Sequence, residues 1–196
     1  MLFVDRLDIA PVRVEKLRVG AGITALAAPS GAGKTRFFLA LADLVPNQSS
    51  IRFDDMARDS VPAPVWRRAV RYVSAEPAWW EATARAHLPD SGKPTAMAER
   101  LGLDRSLLDK PIAELSTGER LRFGLVRALA SDPPVVLLDE PTAALDEASP
   151  RLVEAELRRL AGQGKSIFLI SHSEDQIGRI ADRVLTIEDG IVLERV

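Results

Sequence analysis

Cysteine is absent from this chain of 196 residues, so neither a disulfide framework nor a thiolate metal site can be built. That fits a reducing compartment, and the cytoplasm is the expected location. An excess of basic charge is also missing: the formal net charge is -2 and the pI is near 5.8. Such a balance supplies no general field to attract nucleic acid or anionic lipid, and no nucleic acid partner is expected. No stretch reaches the roughly twenty apolar residues that a membrane helix needs. The opening MLFVDRLDIAPVRVEK is interrupted by Asp5, Arg6 and Asp8 and lacks the apolar run of a secretion signal. Any membrane role must then come through a partner. Internal repeats and low-complexity tracts are missing as well. What is present, 46% hydrophobic and 28% charged residues, is ordinary globular composition, and the length suits one domain with a small insertion.

Short apolar runs alternate with helical patterns. Residues 23–27 precede a helical pattern at 35–44, residues 135–138 precede 149–160, and residues 166–170 precede 174–181. This rhythm predicts a mostly parallel α/β sheet. Ahead of it, residues 2–9 and 12–19 alternate apolar and polar side chains as half-exposed antiparallel strands do, which predicts a small N-terminal β layer. Between residues 79 and 130 the strand signal disappears, and helical patterns at 95–101 and 119–130 stand among Pro89, Pro94 and Pro111. The expected organisation is a single domain over 1–196. Its β layer and α/β core occupy about 1–78 and 131–196, and an inserted helical subdomain occupies about 79–130.

The strand at 23–27 runs into Ala28-Pro29-Ser30-Gly31-Ala32-Gly33-Lys34-Thr35 before a helix, the pattern of a phosphate-binding loop. Small residues let the loop 29–35 curl its backbone N–H groups around phosphates at a helix N-terminus. Lys34 would reach the β and γ phosphates of ATP, and the Thr35 hydroxyl would ligate Mg²⁺. The alternative is an ordinary strand-to-helix turn with an exposed lysine. Ala28 replaces the first glycine of the usual pattern. Alanine at positive φ would cost about 1–2 kcal/mol, so negative φ is expected there.

Val135-Val136-Leu137-Leu138-Asp139-Glu140 is an apolar strand ending in two carboxylates, which places both at the carboxyl edge of the sheet beside the loop. Asp139 would hold Mg²⁺, directly or through water, and Glu140 would act as the base that polarises the attacking water. Taken alone, an acidic strand end reads as a loop start or helix cap; the phosphate loop upstream reverses that balance.

Leu115-Ser116-Thr117-Gly118-Glu119 opens a helix shortly before that strand. In isolation Ser116 is a helix cap with Glu119 closing a capping box. The segment also resembles the signature of ABC ATPases, usually written LSGGQ. The stretch ELSTGERLRFGLVRALASDPPVVLLDEPTAALD, residues 114–146, is similar to the family pattern from signature through second carboxylate motif to the Ala144-Leu145-Asp146 loop. Ser171-His172-Ser173 resembles the family's switch histidine. Four motifs in family order run from about Ile23 to the C-terminus. The resemblance implies a P-loop NTPase core and a homodimer closed head-to-tail on ATP binding. It implies that Ser116, Thr117 and Gly118 meet the γ-phosphate bound to the other protomer, that His172 contacts the γ-phosphate, and that Asp146 lies at the dimer seam. By itself, a histidine after a strand also reads as a passive loop residue.

Two departures from that family stand out. Val73-Ser74-Ala75-Glu76-Pro77 occupies the place of a segment like V-S-Q-E-P. Ala75 can neither ligate Mg²⁺ nor hydrogen-bond the attacking water, so turnover or its coupling to a partner is expected to differ, and Pro77 restricts the backbone shift by which Glu76 would substitute. The family also stacks an aromatic from its first hairpin on adenine. Phe3 is the only aromatic in that segment and is expected in the core. Loss of stacking, worth about 1–3 kcal/mol, predicts ATP binding weaker by roughly ten- to a hundredfold. Trp79 and Trp80 begin the helical insertion, where the membrane subunit of a family transporter docks a helix; buried aromatics and an exposed docking patch are both open readings. Trp66 is expected to be structural.

The first reading is the ATP-hydrolysing subunit of a transporter, dimerising on ATP and driving an integral membrane permease subunit from the inner face of the membrane. The short insertion and paired tryptophans resemble small bacterial cassettes of the iron-export type more than large importers. The second reading is a nucleotide-gated dimerisation module with slow or no hydrolysis, favoured by Ala75 and the missing aromatic and opposed by Glu140 and His172. An ATPase acting on nucleic acid is disfavoured by the acidic charge and the lack of a long coiled coil.

Overall fold

The structure, a computed structural model, describes residues 1–145 and 149–195, so Asp146 lies outside the described residues. Strands β1 (Leu2–Ile9) and β2 (Val12–Val19) pair antiparallel from Leu2↔Val19 to Ile9↔Val12. Leu2, Val4, Leu7 and Ile9 point into the core with Val12, Val14, Leu17 and Val19, while the polar residues between them face out. The alternation slips by one residue at Asp5 and Lys16. Lys16 takes φ 63° there, and the register of β1 against its other neighbour shifts between Val4 and Arg6. Such a bulge returns the apolar face of both strands to the core after one residue out of phase.

The remaining strands are β3 (Gly22–Leu26), β4 (Gln48–Phe53), β5 (Met56–Ala57), β6 (Val70–Val73), β7 (Val135–Asp139), β8 (Ser166–Ile170), β9 (Arg183–Glu188) and β10 (Ile191–Glu194). All ten join one sheet in the order β5-β4-β1-β2-β10-β9-β3-β8-β7-β6. The expected N-terminal layer is thus the antiparallel half of a continuous sheet, joined to the parallel half through Ile191↔Arg13 between β10 and β2. The parallel half, β9-β3-β8-β7-β6, carries α1 (Lys34–Leu41), α2 (Ala63–Ala69), α5 (Ser149–Gly162) and α6 (Glu174–Ile180). Between β6 and β7 the chain has no strand longer than an isolated bridge and forms α3 (Gly92–Arg100) and α4 (Thr117–Ala130).

Two apolar cores flank the sheet. One joins the β layer to α1 and α2, where Phe37 and Phe38 of α1 stack at 6.0 and 4.7 Å on Phe168 of β8. Trp66 belongs to it, fully buried, and its indole N–H donates to Leu41 O at 2.9 Å, satisfying a carbonyl that the end of α1 leaves without a helical partner. The other core packs α3, α4 and α5 on the opposite face of β7 and β8. Phe3 departs from expectation. It points to the face of β1 opposite Leu2 and Val4, half-buried, with the Arg52 guanidinium 3.6 Å from its ring centroid. Period-2 geometry dictates this, because the neighbours of Phe3 already occupy the core face.

Candidate nucleotide-binding site

In the parallel half of the sheet, β3, β8, β7 and β6 are consecutive neighbours and run the same way. The segments leaving their carboxyl ends therefore emerge side by side. They are the 28–35 loop after β3, Ser171-His172-Ser173 after β8, Asp139-Glu140 at the end of β7 and Ser74-Ala75 after β6. A parallel α/β sheet puts its ligand crevice at this edge.

The loop turns on two glycines. Gly31 has φ 80° and nothing within 4 Å of where a Cβ would stand, so that side of the loop is open. Gly33 has φ 90° and caps α1; a Cβ there would meet Val12 Cγ2 at 2.8 Å and Pro11 Cδ at 2.9 Å. The tip of the first hairpin thus braces the phosphate loop from behind. Ala28 is not among the residues with positive φ, so its substitution for glycine leaves the backbone unstrained.

Lys34 is 7% exposed, and its ammonium donates to Ala28 O at 2.7 Å and Pro29 O at 2.9 Å. Burial lowers its pKa from the usual lysine value, opposed by the nearby carboxylates of Glu140 and Asp139. The cation lies across its own loop, within the field of both acids. Asp139 is buried, and the Tyr72 hydroxyl donates to its Oδ2 at 3.0 Å. Burial, then the Asp139 charge, pushes the phenol well above its ordinary pKa, so it remains a donor. Tyr72 gave no signal of this role in the sequence, because the contact depends on the β6–β7 register that sets Tyr72 opposite Leu137.

Glu140 leaves β7 with φ 49°, an uncommon conformation for a glutamate. Its N–H donates to Ile170 O at 3.1 Å, and its Oε1 stands 3.2 Å from His172 Nε2. One open cavity of about 700 Å³ is lined by Ser30, Gly31, Gly33, Lys34, Thr35, Glu140 and His172 together with Arg36. Pro29 and His172 also line a neighbouring depression. Ser30, Gly31, Gly33, Lys34 and Thr35 of the predicted loop, the second carboxylate and the histidine thus come together, while Pro29, Ala32 and Asp139 do not line this cavity.

Ser116, Thr117 and Gly118 do not line this cavity. They open α4 with a full capping box: Ser116 Oγ accepts from Glu119 N at 3.2 Å, and Ser116 N donates to Glu119 Oε2 at 2.7 Å. Ser116 and Thr117 are exposed. At the start of the helical insertion Trp80 is 70% exposed and Trp79 half-buried. His87, in a single 3-10 turn (Arg85–His87), stacks edge-on against both rings at 4.5 and 4.9 Å. Its Nε2 accepts from Trp80 N at 3.2 Å and Glu81 N at 3.1 Å, so Nδ1 carries the proton donated to Thr83 O at 3.0 Å. Arg127 of α4 lies over both indoles at 4.6 and 4.8 Å. The exposed reading of Trp80 holds, while Trp79 is shared between surface and core.

Fold and site together define a P-loop nucleotide-binding protein. The family model described as ABC transporter matches residues 16–143, about two thirds of the chain, and the chain belongs to that family as an ATP-binding cassette. Similar curated proteins include the "Molybdenum import ATP-binding protein ModC" of Pseudomonas savastanoi, 35% identical over 93% of this chain and 55% of that protein. The protein of the same name from Pseudomonas syringae is 37% identical over 89% and 52%. The chain spans about half the length of these relatives. Among solved structures, an ATP binding subunit of an ABC transporter superposes with a TM-score of 0.87 at 20% identity, covering 100% of this chain and 90% of that one. A dimeric bacterial ABC transporter cassette gives 0.83 at 19%, covering 100% and 98%. These likenesses establish the P-loop NTPase fold.

Proposed function

We propose that the chain binds and hydrolyses ATP as the motor subunit of an import-type ABC transporter. The observation that carries this reading is the convergence of Lys34, Thr35, Glu140 and His172 on one cavity at the carboxyl edge of the sheet. Lys34 binds the β and γ phosphates, exchanging the carbonyls of Ala28 and Pro29 for phosphate oxygens. The 29–35 loop wraps the phosphate chain at the start of α1 with the N–H groups of 30–35. Glu140 takes the proton of the attacking water, and His172, 3.2 Å from it, holds that carboxylate and reaches the γ-phosphate.

Among the described residues no group of three or more His, Cys, Asp or Glu side chains could hold a metal ion. The oxygen donors present, Thr35 Oγ1 and Asp139 Oδ1, nonetheless fit Mg²⁺, which takes few protein ligands and completes its shell with water and phosphate oxygens. When bound, the ion neutralises charge on the phosphates. Tyr72 ties down Asp139 Oδ2 and leaves Oδ1 for that role.

Ser116, Thr117 and Gly118 belong to the partner's site in this reading, which the exposure of Ser116 and Thr117 at the α4 N-terminus, outside the cavity of their own chain, supports. Asp146, outside the described residues, is assigned to the seam between protomers by the family resemblance alone. Trp80, Trp79, His87 and Arg127 form the face that receives the permease. No described helix is long and apolar enough to cross a membrane, and we assign the chain to the cytoplasmic side, held peripherally by that permease, on its likeness to ABC transporter ATP-binding subunits. The relatives cited above are import subunits, and their names favour import, with molybdenum as the cargo to test first, over the iron-export type that the tryptophans suggested. Ala75 favours one further reading, a dimerisation module with slow hydrolysis.

Glu140→Gln separates the two. It keeps the size of the side chain but accepts a proton poorly, so with Mg-ATP the variant should elute as a dimer in size-exclusion chromatography where wild type elutes as a monomer. Equal dimerisation of both proteins would favour the slow module.

A further inference from the structure

Arg36 follows Thr35 in the first turn of α1 and lines the same cavity as the phosphate loop. It is exposed, and it makes no hydrogen bond or ion pair with any described residue. Its position is unfavourable to the helix. The N-terminus of a helix carries partial positive charge and prefers acids, yet α1 has no acidic residue in its first turn and holds Lys34 and Arg36 there. An unpaired cation placed against the dipole breaks a local rule with no compensating contact, and such breaks collect at functional sites. Helical side chains lean toward the N-terminus of their helix, so Arg36 leans back toward the loop.

We propose that Arg36 is a second cation for the phosphate chain of the bound nucleotide, replacing in affinity what the missing stacking aromatic would supply. This rests on the ATP-binding reading. Lys34 serves the terminal phosphates and is partly balanced by Asp139 and Glu140, whereas no carboxylate pairs with Arg36. Phe3 cannot stack on a base with the face that Arg52 covers at 3.6 Å. A guanidinium remains charged at every working pH and presents forked donors that fit phosphate oxygens. The recognised group is the polyphosphate, so the contact is indifferent to the base.

Isothermal titration of wild type, Arg36→Gln and Arg36→Lys with ATP, GTP and inorganic tripolyphosphate tests this, with melting curves alongside. Arg36→Gln should weaken all three ligands in parallel by roughly tenfold, with a shallower salt dependence, while Arg36→Lys stays within about threefold of wild type. Because the arginine opposes the helix dipole, Arg36→Gln should melt no lower than wild type without ligand. Unchanged affinity in Arg36→Gln overturns the proposal. So does a loss confined to ATP and GTP that lysine fails to restore, which is the pattern of base stacking. If wild type itself binds none of the three, the nucleotide-site reading fails and not the role of Arg36 alone.

Discussion

The phosphate corner and the tryptophan patch are built by opposite means. At the corner, backbone shape does most of the work: Gly31 and Gly33 turn the loop, Glu140 leaves its strand at positive φ, and four parallel strand ends deliver the segments to one edge. The patch has no regular frame. Its loop is tied by one imidazole that accepts two backbone N–H groups and by one guanidinium that spans two indoles and donates to Ala78 O at 2.7 Å. A site set by backbone tolerates loss of a side chain and loses only chemistry. A site set by side chains loses its shape with them.

Substitutions on the two sides should therefore fail differently. The largest expected effect is that of Lys34→Ala, which removes the central phosphate cation, a side chain that lies across its own loop and belongs to neither apolar core. ATP binding should vanish in equilibrium titration while the melting curve keeps its cooperative shape. Unchanged affinity in the folded variant would sink the proposed phosphate site. Gly33→Ala attacks the backbone itself. It forces an alanine to φ 90° and drives its Cβ into Pro11 and Val12, so thermal unfolding should report a loss of about 1–3 kcal/mol. Gly31→Ala meets no atom, and the smaller cost of conformation alone, about 1–2 kcal/mol, should appear.

On the patch, His87→Ala leaves Trp80 N and Glu81 N without their acceptor. Tryptophan fluorescence should shift toward that of solvated indole and stability should drop by about 1–2 kcal/mol, with basal ATP turnover retained. Trp80→Ser should cost less stability still, because the ring is 70% exposed, yet abolish stimulation by the permease in reconstituted vesicles. A large fall in melting temperature from Trp80→Ser alone would contradict the docking role.

The same contrast explains what could be seen in the sequence. Loop, carboxylates and histidine are local motifs at strand ends, and the alternating rhythm of the α/β half orders those strands, so the corner was legible before any coordinates. Strands β1 and β2 were legible from their alternation. Strand β4 was not, since Gln48–Phe53 reads QSSIRF and only Ile51 is buried, and β9 and β10 were missed with it. Phe3 was misassigned because its hydrophobicity was weighed without the phase of its strand. The His87–Arg127 frame was invisible: the two residues lie forty positions apart, on an irregular turn and on α4, and no short pattern links them. Tyr72 and Arg36 fall between these cases, next to motifs yet outside them.

The central claim is that Glu140 is the base at the corner where the loop, the second carboxylate and the histidine meet. Steady-state ATP turnover of wild type against Glu140→Gln, at saturating Mg-ATP, tests it most directly. A wild type that turns over and a variant slower by roughly a hundredfold, with ATP affinity retained, is the expected result. Equal turnover of the two proteins would contradict the account.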